Sequence, residues 1–251
     1  MAPFLELVDI HKTYGHGRAA RPALRGVSLT VEPGRFVAVM GPSGSGKSTM
    51  LHVAAGLEPP DRGAVALDGQ VVGAADRRRW AEIRRRDLGL VFQRLNLVPT
   101  LTVGENVGLP VALDGRRSRR VAAAARDALQ LVQLDGAIDR FPSELSGGEQ
   151  QRVALARAVV GERRLVLADE PTGALDSVSG ELVLSVLADL AAHAGVAVVM
   201  VTHDSRQASW ADEVVFIRDG AIVDRTGGAT DVPVHHATRS NAATPTEGSR
   251  R

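Results

Sequence analysis

The chain has 251 residues, a formal net charge of +1 and no cysteine. Near-neutral charge leaves no global case for nucleic acid or an anionic membrane surface, and the missing thiols exclude disulfides and thiolate chemistry. The apolar fraction of 44% over this length suits a buried core in one large domain or two small ones. Residues Met1 to Ile10 lack a basic start followed by an apolar core, so no signal peptide is read there. Apolar runs such as Val196 to Val201 are far too short to span a bilayer. The expectation is a soluble, cytoplasmic chain that reaches a membrane only through a partner.

Phe4 to Ile10 alternates apolar and polar residues, as an edge strand does. Val27 to Val31 and Arg35 to Met40 read as two further strands around a Glu32-Pro33-Gly34 turn. Phe36 to Met40 is a continuous apolar run, which suits a strand buried on both faces. Lys47 to Leu57 reads as a helix, Ala64 to Leu67 and Gln70 to Val72 as a hairpin around Asp68-Gly69, and Leu88 to Phe92 as another buried strand. From Val103 to Gly161 the chain reads as helices with short breaks. After Gly161 the α/β pattern returns, with strands over Leu165 to Ala168 and Val196 to Val201 and a helix over Ser179 to Ala194. From Gly227 onward the composition is Thr, Ala, Ser, Gly and Pro without an apolar period. That stretch is predicted to be a disordered tail, and His235-His236 within it reads as solvated rather than as a metal site.

Between the buried strand and the first helix lies Gly41-Pro42-Ser43-Gly44-Ser45-Gly46-Lys47-Ser48, which fits the phosphate-loop pattern G-x-x-x-x-G-K-[ST]. Glycines let the backbone wrap so that successive N–H groups point at a di- or triphosphate, and the following helix adds its N-terminal dipole. Lys47, which with Lys12 makes up the chain's two lysines, supplies a mobile charge for the β- and γ-phosphates, and the Ser48 hydroxyl can ligate Mg²⁺. The run Leu165-Val166-Leu167-Ala168 ends in Asp169-Glu170. A carboxylate at the carboxyl edge of a buried strand sits where open α/β sheets place their ligands, so Asp169 can hold Mg²⁺ beside Ser48 and Glu170 can orient or deprotonate a water.

The octet Leu145 to Arg152, LSGGEQQR, resembles the signature motif of the ATP-binding-cassette (ABC) ATPases. Gln93 in Val91-Phe92-Gln93 looks like that family's Q-loop glutamine, Ala174-Leu175-Asp176 like its D-loop, and His203 like its switch histidine. Tyr14 lies where the family places an aromatic that stacks on adenine. The resemblance covers roughly residues 4 to 225. It implies a P-loop NTPase (RecA-like) α/β core with an N-terminal antiparallel β subdomain and an inserted α-helical subdomain. The ATPase domain would span 1–226, with core 1–93 and 162–226, a helical insert at about 94–161, and 227–251 as tail. The implied cofactors are ATP and Mg²⁺. Tyr14 with Gly41, Pro42, Ser43, Gly44, Ser45, Gly46, Lys47, Ser48 and Thr49 would bind the nucleotide, and Ser48, Gln93 and Asp169 the metal. Glu170, His203 and Gln93 would be catalytic. Leu145, Ser146, Gly147, Gly148 and Glu149 would meet the γ-phosphate of a partner subunit in trans, with Asp176 coupling the two sites. A second copy or a similar cassette is therefore implied.

Leu95 to Thr102, Glu105-Asn106-Val107 and Leu167 to Leu175, LADEPTGAL, are similar to the macrolide-export and lipoprotein-release ATPases. Leu95 departs from that group, which often has an aromatic there. The likeness implies a four-helix permease with a large extracytoplasmic domain and a place on the cytoplasmic face of the membrane. An importer cassette shares every catalytic motif and differs in its partner. A soluble ABC ATPase is the other alternative. Arg77-Arg78-Arg79, Arg84-Arg85-Arg86 and Arg116-Arg117 with Arg119-Arg120 would be its nucleic-acid contacts, but Asp76, Glu82 and Asp87 interleave with the first two, so helix faces or protein contacts are expected and no nucleic acid.

Overall fold

The computed structural model describes residues 2–173 and 175–227. Five strands carry most of the chemistry-bearing edge: β3 (Phe36–Met40), β6 (Leu88–Val91), β7 (Leu165–Asp169), β8 (Ala197–Thr202) and β9 (Glu213–Arg218). With β10 (Ala221–Thr226) they form a six-stranded sheet in the order β10-β9-β3-β8-β7-β6, parallel except for the β9–β10 hairpin. A second, antiparallel sheet contains β1 (Leu5–Tyr14), β2 (Arg21–Val31), β4 (Arg62–Leu67) and β5 (Gln70–Val72) in the order β2-β1-β4-β5.

The central strands are apolar throughout because both faces are covered. Val37, Val39, Leu165, Leu167, Val199 and Val201 join one core with Leu5, Leu7 and Ile10 of the antiparallel sheet and Met50 and Leu51 of α1 (Lys47–Ala54). Phe36, Ala38, Val166, Ala168, Val198 and Met200 point the other way, into a core built with helices. The period of two in a strand sends alternate residues to opposite faces. The helices on that side are α3 (Val103–Leu113), α4 (Ser118–Leu131), α5 (Gly147–Val159) and α6 (Ser177–Ala194). By length and composition α6 could cross a bilayer, with a mean hydropathy of 1.2. Its Val183, Leu184, Val186 and Leu187 are instead buried in the core, and Glu181 and Asp189 are exposed on the opposite side.

Three differences from the sequence expectation stand out. β1 is an interior strand, paired with both β2 and β4, because alternating polarity reports one covered face and not an edge position. The Glu32-Pro33-Gly34 turn joins two strands as read, but those strands belong to different sheets. α2 (Arg77–Arg86), the short α7 (Ser205–Ala208) and the β9–β10 hairpin extend the elements read from sequence. The predicted tail, with His235-His236, lies outside the described residues apart from Gly227, and so does Ala174.

Candidate functional site

The chain leaves the carboxyl end of β3 and wraps as Gly41 to Gly46 before α1 begins. Gly46 caps α1 with φ 104°, and a Cβ on it would lie 2.3 Å from the Ala23 carbonyl oxygen, so only glycine fits. A Cβ on Gly41 would meet the Ile217 carbonyl oxygen of β9 at 2.1 Å. The β9–β10 turn holds the loop from outside, since the Gly220 N–H donates to the Ser45 carbonyl at 3.0 Å. Lys47 is 8% exposed, and its Nζ donates to the carbonyls of Gly41 at 2.9 Å and Pro42 at 3.0 Å. The ammonium is thus held within the turn by the carbonyls of its first two residues.

A cleft of about 820 Å³ opens over this loop. Tyr14, Ser43, Gly44, Gly46, Lys47, Ser48, Thr49, Gln93, Glu170 and His203 all line it, so residues spread over 190 positions of sequence meet in one place. Ala23, Gln151 and Gly173 line it too, and were not anticipated. Gln151 is 4% exposed with an Nε2 that has no partner among the described residues. Its place within the octet LSGGEQQR was the available signal. Tyr14 is 41% exposed, with the Lys12 Nζ 5.4 Å from its ring centroid.

Asp169 ends β7 beneath the cleft. Its Oδ1 is buried and has no partner among the described residues, and burial pushes the carboxyl above the usual carboxylate range, with the Ser48 hydroxyl opposing that shift. A buried, orphaned carboxylate oxygen beside a serine hydroxyl is a hard-oxygen donor set that fits Mg²⁺. Among the described residues no group of three or more His, Asp or Glu side chains could hold a metal, so phosphate oxygens would have to complete the shell.

Glu170 follows directly, with φ 51° and its N–H donating to the Val201 carbonyl at 3.0 Å. A left-handed glutamate is strained by on the order of 1–3 kcal/mol. The turn takes the side chain off the line of β7 and toward β8, where its Oε1 lies 2.8 Å from Nδ1 of His203. The Glu170 side chain is 15% exposed and that of His203 69%, so the carboxylate is sheltered and the imidazole stands at the rim. A carboxylate so held can take a proton from a water in the cleft.

Leu145 to Glu149 and Asp176 do not line this cleft. Ser146 caps α5 in a reciprocal box: the Glu149 N–H donates to Ser146 Oγ at 3.3 Å and the Ser146 N–H to Glu149 Oε2 at 2.8 Å. Those Ser146 donors, with Arg140 nearby, hold the Glu149 carboxyl below its ordinary range. Gly147 and Gly148 open the first turn with free N–H groups and a positive helix end. Asp176 caps α6, accepting from the Ser179 N–H at 3.0 Å and its hydroxyl at 2.8 Å, which lowers its carboxyl.

A family profile described as ABC transporter matches residues 24–173. The chain is similar to an uncharacterized ABC transporter ATP-binding protein of Mycobacterium tuberculosis, 44% identical over 88% of this chain and 89% of that one. It is 42% identical to the macrolide export ATP-binding/permease protein MacB of Marinobacter nauticus over 90% of this chain, and spans 35% of that protein's length. Among solved structures, a dimeric post-hydrolysis state of an ATP-binding cassette bound to ADP and Pi superposes with a TM-score of 0.84. That cassette is 38% identical, over 89% of this chain and 98% of its own length.

Proposed function

The chain belongs to the ABC transporter family, an ABC ATPase cassette of P-loop NTPase fold, and on that premise we propose that it hydrolyses ATP to drive a membrane permease of the export or mechanotransmission type. The observation that carries the chemistry is the 2.8 Å contact between Glu170 and His203 in the cleft that also holds Lys47.

The loop N–H groups and Lys47 take the β- and γ-phosphates, and Tyr14 stacks on the adenine. Ser48, Asp169 and Gln93 would hold a Mg²⁺, which when bound neutralises charge on the phosphoryl oxygens. Glu170 accepts the proton of the attacking water as its oxygen bonds to the γ-phosphorus. The bond to the β–γ bridging oxygen breaks, leaving ADP and phosphate. His203 keeps Glu170 aimed at that water and reaches the γ-phosphate from the rim.

The signature residues Ser146, Gly147 and Gly148 lie outside the cleft that holds the phosphate loop. With one of each per chain, two chains facing each other complete two sites. The solved relative that is dimeric and holds ADP and Pi supports that arrangement. The MacB relatives, which join an ATP-binding part and a permease in one protein, favour an export-type permease as partner and the cytoplasmic face of the membrane as location.

The test uses Glu170→Gln, purified with ATP from detergent-solubilised membranes of the source cell. The expected companion is a four-helix permease with a large external domain. A many-helix permease with a solute-binding protein would make this an importer cassette. The absence of any membrane protein would favour a soluble ABC ATPase.

A further inference from the structure

We propose that Arg157 is a positioning residue for Gln93: its guanidinium ties the backbone just after Gln93 to α5, so that Gln93 moves in the cleft with the helix that begins at the signature. The inference rests on the assignment of Gln93 to the nucleotide site.

β6 ends at Val91 and α3 begins at Val103, so the segment between them has no ladder of its own. Its carbonyls must find partners elsewhere. Arg157 Nη2 donates to the Leu95 carbonyl and Nη1 to the Asn96 carbonyl, each at 2.6 Å. Consecutive carbonyls point in opposite directions along an extended chain. Asn96 has φ 50°, a left-handed helical value that turns the two carbonyls toward the same side. A non-glycine residue in that region carries a cost that the double contact offsets. Among the described residues no carboxylate pairs with the guanidinium, burial pushes its pKa down, and the partners it has are main-chain carbonyls. Only arginine presents two parallel donors in a rigid fork; a lysine ammonium is a single point charge.

The next stretch is tied from a second helix. Asn106 of α3 is fully buried, accepts from the Val98 N–H at 2.7 Å and donates to the carbonyls of Val98, Leu101 and Thr102, each at 3.0 Å. From Leu95 to Thr102 these side-chain ties all come from α3 and α5. Gln93 sits two residues before the first tie and two after β6, at the joint between the sheet and the helices. A helix of this length is about 20 Å of stiff rod. A tilt of α5 that re-aims Ser146 at one end therefore shifts Leu95 at the other, and Gln93 with it.

A kinetic cycle on the full chain with Mg-ATP tests this: Q93A, R157M and the double variant. R157M is expected to lower kcat about tenfold or more while KM for ATP stays within about twofold, because the phosphate loop is untouched. The double variant should be no slower than Q93A alone. Retained ATP binding without Mg²⁺ and a cooperative thermal transition separate this from a folding loss. R157K, which keeps the stem and the charge but not the fork, replaces R157M in the cycle if that variant does not fold. Losses that multiply in the double variant would overturn the proposal, as would a normal R157M beside a slow Q93A. A Q93A of normal turnover would instead remove Gln93 from the site, and the proposal with it.

Discussion

Replacing Lys47 by Ala leaves the loop N–H groups in place but removes the ammonium held at 2.9 and 3.0 Å from the loop carbonyls. A charge-assisted contact of this kind contributes roughly 1.5–3 kcal/mol, so Lys47→Ala should weaken ATP binding by at least tenfold, measured by titration calorimetry. Affinity unchanged from the parent chain would sink the phosphate-loop assignment. Asp169 poses the opposite case. Its buried Oδ1, without a partner among the described residues, costs the fold and would serve the proposed metal. Asp169→Asn removes a charge that burial disfavours, so the variant should be as stable as the parent or more so, by on the order of 1 kcal/mol, while Mg²⁺-dependent turnover is lost. A strongly destabilised variant would mean that Asp169 holds the fold and not a metal. Both arguments turn on groups the local sequence already marks. Gln151 shows the limit of that legibility, since only the fold reveals that it is buried and lines the cleft.

At the scale of elements, α5 links the signature to the rest of the site, and its cap can be separated from its proposed role in trans. Ser146→Ala removes the Oγ acceptor of the box and should cost about 1 kcal/mol in the denaturation midpoint. Glu149 adds a pH signature. Because its folded carboxyl sits below its ordinary range, its contribution is present above the unfolded pKa and is lost as the pH falls through the lowered one. Ser146→Ala weakens the interaction behind that shift, so the acid limb of its stability curve should be flatter than the parent's. Ser146→Asp keeps a capping oxygen and most of the stability, yet would set a carboxylate toward a partner's γ-phosphate, so turnover should fall much further than stability. Equal losses in both would argue for a cap alone. Strands such as β3, β7 and β8 were legible because burial on both faces writes a continuous apolar run. α2 was not, because only Trp80 and Ile83 turn inward among its arginines. Those arginines close other elements. Arg84 donates to the carbonyls of Ala55 and Gly56, Arg85 and Arg86 pair with Asp114, and buried Arg163, its pKa pushed down to about 10, donates to the carbonyls of Arg85 and Arg86. The β9–β10 hairpin did carry a local signal, Asp219-Gly220, both with positive φ, between Ile217 and Ile222.

At the scale of the molecule, the cleft gathers Tyr14, most of the phosphate loop, Gln93, Glu170 and His203, while Gly41, Pro42, Ser45 and Asp169 lie behind its lining and the signature lies outside it. Val178, two residues beyond Asp176, is 79% exposed, and Phe141, just before the signature, is 42% exposed, so apolar surface accompanies both segments assigned to the partner contact. Bound ATP would bridge Lys47 of one chain to the helix end at Gly147 of the other, which would make the nucleotide part of the interface and its hydrolysis the event that opens it. Ligand that binds the dimer better than the monomer shifts the population by that difference alone. Glu170→Gln keeps the shape and the hydrogen bonding of the side chain but cannot take the water's proton, so the ATP-bound state should persist. Light scattering on this variant should give a mass near 26.5 kDa without nucleotide and twice that with Mg-ATP. Lys47→Ala in the same background should return the monomer, since the bridge is then missing at its first contact. A Glu170→Gln chain that binds ATP and still scatters as a monomer would leave the signature without a role in trans, and the two-chain site would have to be abandoned.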